Sequence, residues 1–82
     1  MNKAKAVENY LRANGSITNW EIATKYYTTS PHSIIMRLRK KYGYDAILDE
    51  WQNKKVIIDG QKETVIWKKY IWNLREGENE QN

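Results

Sequence analysis

The sequence predicts one α+β domain: three helices, a short strand between the first and second, and a C-terminal β-hairpin. Three observations predict it. Apolar residues recur at helical spacing as far as Tyr42. After Tyr44 the chain turns to β-branched and aromatic residues, in "AILDEWQNKKVII" and "ETVIWKKYIWNL". Between those runs stands Asp59-Gly60, a strong signal for a tight hairpin turn.

The elements follow in order. "KAKAVENYLRA", residues 3–13, spaces Ala6 or Val7, Tyr10 and Leu11 as one helical face, and Asn14-Gly15 suits a left-handed cap. "SIT" sets Ile17 between two small polar residues, long enough to add an edge to a sheet. Thr18 or Asn19 can cap the second helix, with Glu21 in the first turn where the helix dipole favours an anion. Trp20, Ala23 and Tyr27 are expected on its apolar side, with Ile22 and Tyr26 flanking. Ser30 is placed to cap the third helix, and Pro31 suits its first position. That helix is expected to run to about Lys41, with Gly43 ending it.

The hairpin loop is either two or four residues, and both give the same division into faces. Ile47, Trp51, Ile66, Tyr70, Trp72 and Leu74 are expected on a core face. Glu50, Gln52, Lys54, Trp67 and Lys69 take the other, with Leu48, Val65 and Ile71 among them. Glu50 and Lys69 can pair across the strands. The domain is expected over residues 1–75, followed by a disordered acidic tail, 76–82.

Composition narrows the chemistry. Eighty-two residues allow one modest core, carried by four Trp, six Tyr and the aliphatics. The absence of cysteine excludes disulfides, thiol chemistry and cysteine-ligated zinc. His32 is the only histidine, and the glycines form no phosphate loop. Asp45, Asp49 and Glu50 cluster, but three acids beside a strand usually make a solvated edge. The expectation is therefore no enzyme, no metal and no cofactor. No apolar run approaches the roughly 20 residues that cross a bilayer, and the N-terminus lacks a signal-peptide core, so a cytoplasmic protein is expected. Three of the ten acids lie in the last seven residues, leaving fourteen bases against seven acids over residues 1–75. A body that basic suits a polyanionic partner.

The third helix suits DNA as that partner, or is a solvated amphipathic helix with a basic outer face. At about 100° per residue, Pro31, Ile35, Leu38 and Tyr42 form one stripe, with Ile34 at its margin. The opposite side presents Thr29, Ser33, Met36, Arg37 and Lys40, with His32 and Arg39 on one flank and Lys41 on the other. One face is anchored and the other is basic, with small residues near the N-terminus. Small residues let a helix approach base edges, and Arg can bridge guanine O6 and N7. Two short helices joined by a brief turn form a helix-turn-helix, whose second helix enters the major groove. The full order (helix, strand, helix, helix, strand, strand) is that of a winged helix. Its wing tip, from Lys54-Lys55 to Lys62, offers cations to phosphate or a minor groove.

The segment "NGSITNWEIATKYYTTSPHSIIMRLRKKYGYDAILDEW" resembles the winged helix-turn-helix domain of small phage and prophage DNA-binding proteins. Asn14, Gly15, Ile17, Thr18, Trp20 and Glu21 match an N-G-x-I-T-x-W-E opening of the second helix. Ile35, Leu38, Arg39, Lys40, Lys41 and Tyr44 match the close of the third, and Trp51 a wing strand. The likeness covers residues 5–74. It implies double-stranded DNA binding by the third helix and wing, as a regulator or an excision or replication accessory. Two features depart from the pattern: Tyr27 stands where the family has glycine, and the wing is long and aromatic, with Trp67 facing solvent.

The expected DNA-binding set is Thr28, Thr29, Ser30, His32, Ser33, Met36, Arg37 and Lys40, with Lys54, Lys55 and Lys62 on the backbone. Ser33, Arg37 and Lys40 read or position the major groove. The alternative is a winged-helix factor that binds and inhibits a host protein through its aromatic wing. No heptad run or spare helix serves dimerisation, so a monomer is expected, one able to assemble on adjacent DNA sites.

Overall fold

The computed structural model describes residues 2–74. The expected acidic tail, residues 76–82, lies outside them. Helix α1 spans Lys3–Asn14, strand β1 Ser16–Thr18, helix α2 Asn19–Lys25 and helix α3 Pro31–Tyr42. A 3-10 turn at Tyr44–Ala46 leads into β2, Ile47–Ile58, and β3, Gln61–Trp72, completes the chain. The sheet is antiparallel in the order β1-β3-β2. This is the expected α+β class, a winged-helix-like arrangement.

Local signals account for the boundaries. The Asn2 side chain accepts the amides of Ala4 and Lys5 at the start of α1, and Gly15, at φ 88°, caps its end. Thr18 and Glu21 form a reciprocal capping box at α2: the Thr18 hydroxyl accepts the Glu21 amide, and a Glu21 carboxylate oxygen accepts the Thr18 amide. Ser30 holds the N-cap position of α3, yet its side chain makes no cap bond. The Ser33 amide is taken instead by the Ser30 carbonyl at 3.1 Å. The hairpin loop has two residues, Asp59 and Gly60, both at positive φ, which matches the right-handed twist of the strands.

The core is aliphatic rather than aromatic. Ala4, Val7 and Leu11 of α1, Ile17, Ile22, Ile34, Ile35, Leu38, Ala46 and Ile47 are buried, and Tyr70 is the one aromatic among them. No Trp is buried. The expected apolar side of α2 is corrected accordingly. Ile22 goes inside, Tyr26 packs against the core, and Trp20 and Tyr27 are exposed. A helix of seven residues has room for one buried position, and the aliphatic side chain takes it.

The wing outruns its support. Two twelve-residue strands extend about 40 Å, whereas the helices cover only their base. Of the expected core face, Ile47 and Tyr70 are buried and Trp72 and Leu74 pack beside them. Trp51 and Ile66 lie further out on the same face and are 67% and 59% exposed. The molecule measures 53 × 24 × 19 Å, with a radius of gyration of 14.6 Å, against roughly 12 Å for a compact chain of this length.

Two buried charges tie the helices down. Glu8 is 2% exposed. One of its oxygens accepts from the Tyr42 hydroxyl at 2.7 Å and from Arg12 Nε at 3.0 Å, with Lys5 at 3.7 Å and Lys41 near the other oxygen at 3.9 Å. Burial alone would raise the carboxyl pKa. The hydrogen bonds from Tyr42 and Arg12 and the charges of Lys5 and Lys41 outweigh it, so the net shift is downward. Arg39 is also buried: its Nε and Nη2 donate to the Ile47 carbonyl at 3.1 and 2.6 Å.

Candidate nucleic-acid interface

Helix α3 is held by Ile34, Ile35 and Leu38, so the opposite side of its cylinder faces solvent. His32, Ser33, Met36, Arg37 and Lys40 line a shallow depression of about 300 Å³ there. All but Met36, which is half-buried, are exposed. Thr29 and Ser30 are exposed just before the helix, and the Thr28 hydroxyl accepts the Ser30 amide at 3.1 Å, fixing the approach. The structure thus gathers His32, Ser33, Met36, Arg37 and Lys40 on one patch, with Thr28, Thr29 and Ser30 at its N-terminal edge.

The four cations of α3 divide into two pairs. Among the described residues neither Arg37 nor Lys40 meets an acid. Lys41 lies beside Glu8 and over the Tyr42 ring at 5.2 Å. Arg39, expected on an outer flank, is turned inward instead, with its guanidinium 4.6 Å from the Tyr44 ring and 3.9 Å from an Asp49 oxygen. Its donors suit the Ile47 carbonyl at the foot of the wing, which would otherwise be buried without a partner. Arg39 is therefore a brace between α3 and β2, not an outward contact.

The wing lysines do not form one cluster. Lys54, Lys55 and Lys62 are all exposed, but the register sets Ile57 opposite Lys62 and Lys54 opposite Val65. Since neighbours alternate in direction, Lys55 and Lys62 share the face that carries Ile47 and Tyr70 at its base, and Lys54 takes the other. On the face of Lys55 and Lys62, Lys68 lies over the Trp51 ring at 4.7 Å and pairs with Asp49 at 3.3 Å. Trp51, Gln52, Asn53, Thr64 and Ile66 surround an open hollow of about 500 Å³.

Trp67 does not face solvent as expected. It is half-buried, stacked on Trp20 with centroids 5.1 Å apart and planes at 25°. This stack fastens α2 to the wing, helped by the Asn19 side chain, which accepts the Lys68 amide. The acids of the wing foot do not converge. Glu50 and Asp49 point to opposite faces, with Glu50 opposite Lys69 in register and accepting from Gln52. Among the described residues no group of three or more His, Cys, Asp or Glu could hold a metal ion, and no helix is long and apolar enough to cross a membrane.

Tyr27, which stands where the resembling family has glycine, is also expected on the apolar side of α2, and the structure places it otherwise. Tyr27 is 86% exposed at the turn before α3, with φ at 52°. Lys3 Nζ donates to its carbonyl at 2.9 Å. Glycine is the usual occupant of such a left-handed position, which agrees with the departure at Tyr27 noted in the sequence. Comparison with known protein families, characterised proteins and solved structures finds no match.

Proposed function

We propose that this protein reads double-stranded DNA, with α3 in the major groove and the wing on the backbone. The observation that carries the proposal is the division of cations on α3. Arg39 and Lys41 are engaged by the body, whereas among the described residues Arg37 and Lys40 meet no acid and lie beside Ser33 and His32 on the outward face. Small polar residues beside an unpaired Arg fit close approach to base edges. The winged-helix-like order and the resemblance to small phage proteins support a non-enzymatic role as a regulator or an excision or replication accessory, in the cytoplasm of a bacterial host.

The test is binding of the purified protein to pooled genomic fragments over a salt series. Steep loss of affinity with salt and retention of particular fragments are expected. Arg37→Ala should weaken the preferred site by about 1–3 kcal/mol and relax one base pair. Unchanged binding in Arg37→Ala combined with Lys40→Ala would remove α3 as the reader. A second reading, inhibition of a host protein through the wing, is favoured by the exposure of Trp51, Ile57 and Ile66. It takes the lead if the protein binds no DNA.

A further inference from the structure

The outer edge of the sheet is formed by β2, which adjoins the hollow of the wing at Trp51, Gln52 and Asn53 and is joined to α3 at its base through Arg39. Strand β2 pairs only with β3 among the described residues, so its outer edge is open from Asp49 to Ile58; at its base Arg39 already holds the outward Ile47 carbonyl. Every second residue there directs its backbone N–H and C=O away from β3. Long open edges invite pairing with another strand, and lysines usually deter it. Lys54 and Lys55 fit that deterrent role on their own. They do not stand alone, because Asp49 and Glu50 occupy the other half of the strand.

From this arrangement we propose that two copies of the chain pair antiparallel through their β2 edges, about a two-fold axis at Gln52. Geometry limits the choices. A two-fold perpendicular to the sheet keeps each residue on its own face, and directly opposite residues share a face, so the axis must pass at a residue position. With the axis at Trp51, Ile47 and Leu48 face Lys55 and Lys54 of the second copy. With the axis at Asn53, Asp49 and Glu50 face Ile57 and Val56. With the axis at Gln52, Asp49 meets Lys55, Glu50 meets Lys54 and Leu48 meets Val56, and the pairing ends short of the buried Ile47, whose carbonyl Arg39 holds. Of these three adjacent registers, only the last puts both acids on bases and aliphatics on aliphatics.

The lysines are free to accept such a partner. Among the described residues Lys54 and Lys55 have no acid of their own. One Asp49 oxygen is engaged by Lys68 at 3.3 Å and Arg39 at 3.9 Å, but the side chain remains 36% exposed, and Glu50 is exposed. Face-to-face stacking of two wings is disfavoured, since Lys55, Lys62 and Lys68 all lie on the face with Trp51 and Ile66 and would meet their own kind. The result is a continuous six-stranded sheet with both sets of helices on one side. The two Ile47 Cα atoms then lie ten residues apart, about 34 Å at roughly 3.4 Å per residue. That is close to one turn of B-DNA, the spacing of half-sites read by helix-turn-helix dimers. The half-site consequence rests on the DNA reading; the dimer does not.

Sedimentation of the full chain over a concentration series, without DNA, tests the dimer directly. A two-chain mass that falls to one chain on dilution is expected. Gln52→Cys, the sole cysteine in its variant, should give a disulfide-linked dimer on mild oxidation, whereas Gln61→Cys, beside the turn, should not. Glu50→Lys and Lys54→Glu should each weaken self-association roughly tenfold, and an equimolar mixture of the two should restore it, with circular dichroism confirming that each folds. A one-chain mass throughout overturns the proposal. So does a two-chain mass that ignores these charges and gives no disulfide in Gln52→Cys. DNA binding by a one-chain species would leave the DNA reading intact while removing the dimer.

Discussion

At the residue scale, Tyr27 and Glu8 show opposite relations between local cost and context. Tyr27 adopts a left-handed conformation that disfavours a side chain, and 86% exposure returns little packing. Such a position typically costs about 1–2 kcal/mol, offset in part by the chain entropy that glycine would lose on folding. Tyr27→Gly should therefore leave the melting temperature unchanged or raise it, and a loss of several degrees would show that the ring packs. Glu8 works the other way, since its carboxylate is stabilised by four neighbours in the fold. Its folded pKa lies below the ordinary 4.5. The unfolded chain thus binds its proton at higher pH, and the stability it contributes is present above that ordinary value and fades as pH falls through the folded one. Glu8→Gln should cost about 1–3 kcal/mol at neutral pH. Thermal melts from pH 7 downward should show the gap closing below about pH 4.5, and a gap independent of pH would refute the charge argument.

At the element scale, the wing separates into a supported base and an unsupported tip. Residues 55–58 and 61–64 are exposed apart from half-buried Val56 and pair only with each other. Removing both segments keeps strand parity and lets Asp59-Gly60 join Lys54 to Val65. The shortened protein should melt within a few degrees of the parent, because no core side chain is lost. It also loses Lys55 and Lys62, so the salt slope of DNA binding should fall by about two units if both meet phosphate. An unchanged slope would mean that the tip never reaches the backbone. The same division explains what the residue pattern could reveal. Gly15, the Thr18–Glu21 box and Asp59-Gly60 act within a few residues, so their effects are legible in the sequence alone. The outward face of α3 is legible too, since helical period alone sets Ser33, Arg37 and Lys40 opposite Leu38. The exposure of Trp51 and Ile66 is not, because strand alternation fixes a face but not where the helices covering it end. Arg39 was misplaced for a related reason: its partner is a backbone carbonyl across the 3-10 turn, which no residue pattern marks.

At the scale of the whole molecule, eleven buried apolar side chains among the described residues carry the core, and none is a tryptophan. A core this small has little to spare. Leu38→Ala should cost about 2–5 kcal/mol, a large share of the stability of a domain this size. Arg37→Ala, one position earlier on the same helix, should leave melting almost untouched. Equal melting temperatures for the two variants would show that Leu38 is not a core position.

The pairing of β1 with β3 has a consequence for how the chain is made. Ser16, Ile17 and Thr18 wait for Ile71, Tyr70 and Lys69, and the Trp72 amide closes on the Gly15 carbonyl at 2.8 Å. The central strand is thus translated last, after both of its neighbours. A nascent chain halted at Gly60 holds all three helices but no complete sheet, and Ile17 and Ile47 have no Tyr70 beside them. Contacts between such distant segments form late, so little tertiary structure can lock in while β3 is still in the ribosome. Chains arrested at Gly60 should be digested rapidly by protease, whereas chains extended until β3 has fully emerged should become resistant in a single step.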